Sequence, residues 1–179
     1  MPLPLGHTAI GLAVCETARE NEPHRSRLGT FVTVTLLANL PDVDIILGLM
    51  VQGNASLFHR GPTHSLFFAL LAGGLAANLW RLAGNFPRLG FPLCFSLVFS
   101  HVLADMLLTS APVSLGWPFQ VYWSSGFSGL ENVLHAVFFQ SFQDAALIAG
   151  CVCYVALLRL LRGAVKRVRY DWDENSRIA

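Results

Sequence analysis

Long apolar runs, separated by short polar segments, restrict the folding of this chain more than any other feature of its sequence. Hydrophobic residues make up 54% of the 179 residues and charged residues 13%, with a mean hydropathy of +0.52. A soluble domain carries about a quarter charged residues, so the composition favours a membrane protein. Lipid offers the backbone no hydrogen bonds, and apolar runs therefore satisfy their own backbone groups as helices. The sequence predicts an all-α, polytopic integral membrane helical bundle.

Five apolar stretches are expected to form this bundle, and they comprise residues 8–15, 28–51, 65–80, 91–109 and 131–161. The first is shorter than the roughly 20 residues that a crossing needs. The second is long enough but is interrupted at Pro41, which removes a backbone donor. The last is expected to divide into an interfacial piece and a crossing over 145–161. We expect four or five membrane-embedded helices in one domain over 1–170, followed by a polar tail over 171–179.

Lysine and arginine placement predicts the orientation, because short basic segments stay in the cytoplasm. The basic cluster near the C-terminus consists of Arg159, Arg162, Lys166, Arg167 and Arg169. Counting spans backwards from a cytoplasmic C-terminus also places the loop 81–88 inside and the segment 59–64 outside. The N-terminus lacks the basic region and cleavage site of a signal peptide, so insertion is expected to rely on internal spans. We expect an integral membrane protein surrounded by the lipid bilayer, with its polar site toward the outer face.

Several functional classes are disfavoured by composition and motif content. The net charge of +1 gives no support to nucleic-acid binding. The sequence contains neither a glycine-rich phosphate loop nor the G-x-S-x-G elbow of many serine hydrolases. The four cysteines form no C-x-x-C pair and lie in or beside apolar runs, where reduced thiols behave as small hydrophobes. They are Cys15, Cys94, Cys151 and Cys153.

Histidine and carboxylate side chains occur inside the apolar runs, where charged groups are costly and seldom persist without a role. His101 and Asp105 are spaced i, i+4, so both leave the same face of a helix, about one turn apart. This pair can hold one ion. The alternative is a simple hydrogen bond between the two side chains along the helix.

Asp42 and Asp44 flank Val43 directly after Pro41. Two carboxylates this close repel each other unless a cation or protons neutralise them. A metal ion does so effectively, and a pair of metals can share such a site. The alternative is an aqueous turn between two short helices.

His59 and His64 bracket a segment whose Gly61 and Pro62 favour a sharp turn. Both imidazoles can point at one centre. Arg60 adds a fixed cation with a fork geometry suited to phosphate, and the start of the following helix also favours anions. The alternative is a polar loop at the membrane surface.

Three further residues are candidates for the same centre. His7 precedes the first apolar helix, although a solvated N-terminal histidine is the alternative. Glu131 and His135 repeat the i, i+4 spacing in a partly apolar helix. Glu131 can act as a ligand or as a general base, or it can complement the helix dipole. Asp144 is interpreted as part of a helix interface, and Trp117 as part of an aromatic belt.

Histidine with carboxylate is the ligand set of a borderline divalent metal, and zinc is the metal expected. The metal-ligand candidates are His7, Asp42, Asp44, His59, His64, His101, Asp105 and His135. The catalytic candidates are Glu131 and Arg60.

The chain resembles the YdjM-like family, whose motifs occur here in the same order. They lie at residues 6–11, 40–44, 59–65, 101–105 and 117–119. The most specific is His-Arg-Gly-Pro-Thr-His-Ser at 59–65. The resemblance implies a LexA-regulated, membrane-bound, metal-dependent hydrolase, similar to the zinc-dependent phospholipase C superfamily, with an all-α fold and a cluster of metals held by His and Asp. It carries the ligand role onto His7, an Asp of the Asp42 and Asp44 pair, His59 or His64, and the 101–105 pair.

The first functional hypothesis is a hydrolase that cleaves a phosphoester, lipid-like substrate with a metal-activated water. Arg60 would hold the substrate anion, and Glu131 would take the proton. The second hypothesis is a small membrane transport protein, since broken helices and intramembrane acids suit ion coupling. The third is a non-catalytic membrane protein whose metal only ties helices together.

Overall fold

The computed structural model describes residues 3–18, 27–54, 58–82, 87–109, 112–119 and 133–178. These residues are predominantly helical, which confirms the predicted all-α class. The α-helices are α1 (Pro4–Ala18), α2 (Arg27–Ala38), α3 (Val43–Gln52), α4 (Leu66–Leu82), α5 (Phe91–Leu108) and α6 (Val133–Ile178). Two one-turn 3-10 helices, Leu40–Asp42 and Pro62–His64, precede α3 and α4.

Two segments of the described chain are long and apolar enough to cross a membrane. They are Phe91–Leu108, which is α5, and Phe142–Arg167, within α6. Helices α2 and α3 are together long and apolar enough to cross, but they meet at a bend of 56°. They add a third crossing if the bent pair forms one span. The expected number of four or five embedded helices would require shorter helices, such as the apolar segment Leu66–Leu79 of α4, to be embedded as well.

The predicted interruption of the second apolar run lies at the bend between α2 and α3. Pro41 is buried in the 3-10 turn and lacks the N–H that would continue the helix. The Asn39 side chain donates hydrogen bonds to the Thr35 carbonyl and the Thr8 hydroxyl, at 2.8 and 2.9 Å. The bond to Thr8 attaches the end of α2 to α1.

Helix α5 packs against α1, α2 and α4, and the apolar core lies between these four helices. The buried core residues are Cys15, Val34, Leu37, Ala69, Ala72, Cys94, Leu97 and Val98. Two glycines allow close helix contacts, as small residues do in membrane bundles. A Cβ atom on Gly11 would lie 2.8 Å from Ala38 Cβ, and one on Gly73 would lie 2.7 Å from Phe95 Cα.

Helix α6 runs parallel to α1 and contacts both of its ends. At the start of α1, the Leu3 amide donates to the buried Asp144 carboxylate at 2.8 Å. At its end, the Arg159 guanidinium donates to Glu16 Oε1 at 2.9 Å, and Arg162 donates to the Glu16 and Thr17 carbonyls. The negative Asp144 therefore lies at the N-terminus of α1, and the positive arginines lie at its C-terminus. Both placements are favourable for the helix dipole.

The last helix is longer than expected. Residues 133–178 form one continuous helix instead of an interfacial piece followed by a crossing, and the polar tail over 171–179 is helical as far as Ile178. Arg, Lys and Glu are good helix formers, and neither proline nor glycine follows Gly163. Helix propensity therefore continues beyond the apolar segment.

Candidate metal centre

Four of the sequence motifs meet at one buried point, although they are far apart in the chain. Helix α1 contributes His7, the 3-10 turn after α2 contributes Asp42, the turn before α4 contributes His64, and α5 contributes His101 and Asp105. The three histidines and Asp105 are each no more than 1% exposed. The apolar core therefore surrounds a polar centre.

His101 is oriented by the break after α2. Its Nδ1 atom lies 2.7 Å from the Ala38 carbonyl oxygen. In a continuous helix that carbonyl would accept from the amide of residue 42, but the Asp42 amide bonds to the Asn39 carbonyl instead. Because a carbonyl only accepts, Nδ1 of His101 carries the proton. The Nε2 atom therefore faces Asp42 Oδ1, 3.3 Å away.

His64 is oriented by its own loop. The Thr63 hydroxyl donates its proton to Asp44 Oδ2 at 2.6 Å, and the same hydroxyl lies 3.2 Å from Nδ1 of His64. Since the hydroxyl proton is already used, Nδ1 of His64 must be the donor in that contact. The Nε2 atom of His64 lies 3.6 Å from Asp42 Oδ1 and 3.5 Å from Asp105 Oδ2.

His7 lies against His101 and Asp105 of α5. Its ring stacks on that of His101 with centroids 3.7 Å apart, and its Nε2 atom lies 3.5 Å from Asp105 Oδ1. The ligand atoms form three overlapping groups, each with all atoms within 4.8 Å of one another. These groups are His7–His101–Asp105, Asp42–His64–His101 and Asp44–His59–His64.

Many of the converging atoms lack hydrogen-bond partners within the described part of the chain. They are His7 Nε2, Asp42 Oδ1, His64 Nε2, His101 Nε2, Asp105 Oδ1 and Asp105 Oδ2. Buried polar atoms without partners are rare because burying them is unfavourable. Imidazole nitrogens and carboxylate oxygens facing one centre are the donors of zinc and similar divalent ions. The residues present therefore fit a divalent cation.

The His64 imidazole also reflects this concentration of carboxylates. Burial lowers its pKa, but the neighbouring carboxylates of Asp105, Asp42 and Asp44 outweigh burial and raise the pKa to about 10. Without a metal, the imidazole therefore carries a second proton at neutral pH. A cation at the centre would replace that proton.

Arg60 lies at the edge of the centre. Its Nε atom is 3.8 Å from Asp105 Oδ2, and its side chain is 12% exposed. The backbone has a φ of +67°, a conformation that non-glycine residues rarely adopt. The Arg60 amide donates to Asp44 Oδ2 at 3.2 Å, and its carbonyl accepts from the Ser114 amide at 3.1 Å. These two bonds hold the residue in its strained conformation.

The predicted site residues can be compared with their observed positions. The structure brings Arg60 and seven of the predicted ligands together, and these ligands are His7, Asp42, Asp44, His59, His64, His101 and Asp105. Glu131 and the His135 side chain lie outside the described residues. Asp144 lies at an interface between helices, where it binds α1.

Two contributors to the site were missed by sequence reasoning, namely the Thr63 hydroxyl and the Ala38 carbonyl. The signal for the carbonyl was present, because a helix that ends before a proline leaves its last carbonyls without partners. The signal for Thr63 was weaker: it stands directly before a candidate ligand in a short, rigid turn.

The family described as YdjM inner membrane protein matches residues 1–168. No curated protein and no solved structure matches the chain.

Proposed function

Because the chain belongs to the YdjM inner membrane protein family, we propose that its buried centre binds a divalent metal and hydrolyses a phosphoester. The observation that carries the proposal is the convergence of ligand atoms without partners from three histidines and two aspartates. Zinc is the favoured ion, since nitrogen and carboxylate oxygen donors suit it.

The residues that would hold the metal are His7, Asp42, His64, His101 and Asp105. A divalent cation bound there would supply Lewis-acid chemistry, polarising a phosphoryl oxygen and lowering the pKa of water. Four of these side chains are essentially inaccessible, but that of Asp42 is 14% exposed. Asp42 and Arg60 therefore mark the side from which a substrate can approach.

Arg60 is the proposed anion-binding residue. Its guanidinium has the fork geometry that matches phosphate oxygens, and it lies beside the carboxylate of a proposed metal ligand. The N-terminus of α4 is close in sequence, and Ser65 caps it by accepting from the Phe68 amide at 3.0 Å. Glu131 remains the proposed proton acceptor.

A lipid-like substrate is favoured by the residues around this edge. Segment 112–119 is joined to the loop before α4 by bonds from Ser114 to Arg60 and from Leu66 to Leu115. The exposed aromatic residues on these segments and at the start of α4 are Phe58, Phe67, Trp117 and Phe119. Aromatic side chains are enriched at membrane interfaces. We infer that the substrate is an amphiphile drawn from the bilayer.

The proposed orientation places the C-terminus in the cytoplasm and the centre toward the outer face. Arg159 and Arg162 lie level with the end of α1, and the positive-inside rule assigns that end to the cytoplasm. His7 precedes Glu16 by nine residues, which is about 13 Å along the axis at 1.5 Å per residue. The centre is therefore displaced toward the opposite side of the bilayer.

A non-catalytic, structural metal is the second candidate. The near-complete burial of the ligand set favours it, because structural sites are closed whereas catalytic sites keep an open position. Such a metal would tie α1, α5 and the two turns together.

One experiment tests both candidates. The protein is purified in detergent, its metal content is measured by elemental analysis, and turnover of a phosphomonoester and a phosphodiester lipid is assayed with and without chelator. We expect bound metal and chelator-sensitive turnover, both lost in Asp105→Ala. Metal without turnover of either lipid supports the structural role. Protein that neither contains nor takes up a divalent transition metal contradicts both candidates.

A further inference from the structure

The two aspartates that follow Pro41 have different surroundings, and we propose that they have different roles. Asp42 is a ligand, whereas Asp44 is a positioning residue that orients His64 and the loop 59–64 toward the metal. This inference rests on the proposed metal-binding function. It assigns Asp44 a role that differs from the ligand role predicted for it from the sequence.

Both carboxylate oxygens of Asp44 are occupied by the loop. Oδ1 lies 3.2 Å from Nδ1 of His59. Oδ2 accepts from the Thr63 hydroxyl at 2.6 Å and from the Arg60 amide at 3.2 Å, and it lies 3.2 Å from Nδ1 of His64. The side chain is only 2% exposed. Asp44 therefore gathers four polar groups of one loop around a single buried charge.

The Asp42 carboxylate has the opposite environment. Its Oδ1 atom has no hydrogen-bond partner among the described residues and faces the Nε2 atoms of His64 and His101, at 3.6 and 3.3 Å. An acceptor facing two imidazole nitrogens is the arrangement that a shared cation satisfies. Both oxygens of Asp44, in contrast, already have hydrogen-bond partners in the loop.

The bonds to Asp44 have a direct consequence for His64. A carboxylate that accepts from Nδ1 fixes the imidazole tautomer, so that the lone pair lies on Nε2, and it raises the basicity of the ligand. The Thr63 hydroxyl favours the same tautomer. Because it donates its proton to Asp44, it can only accept from Nδ1 of His64. The Arg60 amide bond extends the effect, because it helps to hold the proposed anion-binding residue at its positive φ.

The competing interpretation is that Asp44, His59 and His64 hold a separate metal ion. That arrangement requires Nδ1 of His64 to give up its proton and to turn its lone pair toward Asp44. It also places a metal where the Thr63 hydroxyl now donates. The proton positions around Thr63 therefore favour the orienting role.

Cobalt binding separates the two interpretations, with inorganic Co²⁺ as the probe in the purified full chain. We compare Asp42→Asn with Asp44→Asn, and Thr63→Val with Thr63→Ser. The readouts are the number of ions bound, the affinity in competition with a chelator, and the ligand-field absorption of bound Co²⁺, which reports the ligand set.

We expect Asp44→Asn to keep the wild-type number of ions and the wild-type absorption, while its affinity falls by roughly 10- to 100-fold, as for other residues that orient ligands. Thr63→Val should weaken binding in the same direction, and Thr63→Ser, which keeps the hydroxyl, should restore it. Asp42→Asn should change the absorption or lose an ion.

Two results overturn the inference: loss of an ion or an altered spectrum in Asp44→Asn, or unchanged affinity in Thr63→Val. The threonine pair keeps the inference testable if Asp44→Asn does not fold. Wild-type protein that binds no Co²⁺ contradicts the proposed metal function itself, a result distinct from a changed ligand set in the Asp44 variant.

Discussion

The Nδ1 atom of His101 donates to the Ala38 carbonyl across 2.7 Å, and this bond connects the bend after α2 to the buried centre. The carbonyl is available because the Asp42 amide bonds to Asn39 instead of continuing the helix. The proline that interrupts the apolar run therefore also fixes the tautomer of a candidate ligand. The helix break at Pro41 thus shapes both the fold and the buried centre.

Pro41→Ala should weaken metal binding while the protein still folds. The substitution restores a backbone N–H and favours continuation of α2, in which the Asp42 amide competes for the Ala38 carbonyl. We expect metal affinity to fall by roughly 10- to 100-fold, the usual effect of losing a partner that orients a ligating histidine. Chelator competition measures the change.

Pro92→Ala serves as the matched control, since Pro92 stands in the first turn of α5, where its missing N–H breaks no helical bond. Equal metal affinity in Pro41→Ala and wild type would refute the link between the bend and the centre.

Gly11→Ala should destabilise the protein. The added Cβ would lie 2.8 Å from Ala38 Cβ, so α1 must move away from α2 and carry His7 with it. Overpacking of this kind costs about 1–3 kcal/mol. The free energy of unfolding in detergent measures the effect.

Gly150→Ala provides the comparison, because nothing lies within 4 Å of a Cβ at that position in α6. Replacing a glycine in the middle of a helix should there stabilise by about 0.5–1 kcal/mol. Similar changes of the same sign in both variants would mean that α1 and α2 do not pack as closely as described.

Metal binding should release protons near neutral pH. The pKa of His64 is raised to about 10, so the metal-free imidazole is charged at pH 7 and must lose a proton to bind a cation. Calorimetric titration with zinc in two buffers of different ionisation enthalpy measures this release, and His64→Ala should reduce it. Proton uptake, or no dependence on the buffer, would contradict the expectation.

The same raised pKa has a consequence for the stability of the metal-free protein. Protonated His64 stabilises the folded state because its folded pKa lies above 6.5, the ordinary pKa of a histidine side chain. The contribution is fully present below about pH 6.5 and is lost as the pH rises through about 10. Chelator-treated wild type should therefore lose more stability than chelator-treated His64→Ala when the pH is raised across this window.

Arg60→Gly should separate substrate binding from metal binding. Glycine accepts the positive φ of +67° without strain, and its amide still donates to Asp44, so the loop and the metal content should be preserved. Loss of the guanidinium should lower phosphoester turnover by roughly 100-fold or more, as for other groups that stabilise developing charge. Arg60→Lys keeps the charge but not the fork geometry of the guanidinium, so its turnover should lie between those of wild type and Arg60→Gly. Turnover equal to wild type in Arg60→Gly would remove Arg60 from the proposed mechanism.

Local features of the sequence were sufficient to predict much of the helical framework. The apolar run 91–109 corresponds to helix Phe91–Leu108, and the break at Pro41 lies where a missing backbone donor requires it. Hydropathy and backbone chemistry act within a few residues, so they can be read along the chain. The length of α6 was not predictable in the same way, because its last turns depend on helix propensity in a polar segment and not on burial.

The residue types of the centre were also visible in the sequence, since histidines and aspartates stand out in apolar runs and the 101–105 spacing places two of them on one helix face. The distinct surroundings of Asp42 and Asp44 were not visible. They are two residues apart and chemically identical, and they differ only in which distant groups reach them: the imidazoles of His64 and His101 for Asp42, and the loop donors for Asp44. Ligand geometry depends on atoms brought together from residues as far apart in sequence as His7 and Asp105, and those distances are set by helix packing, which no local pattern records.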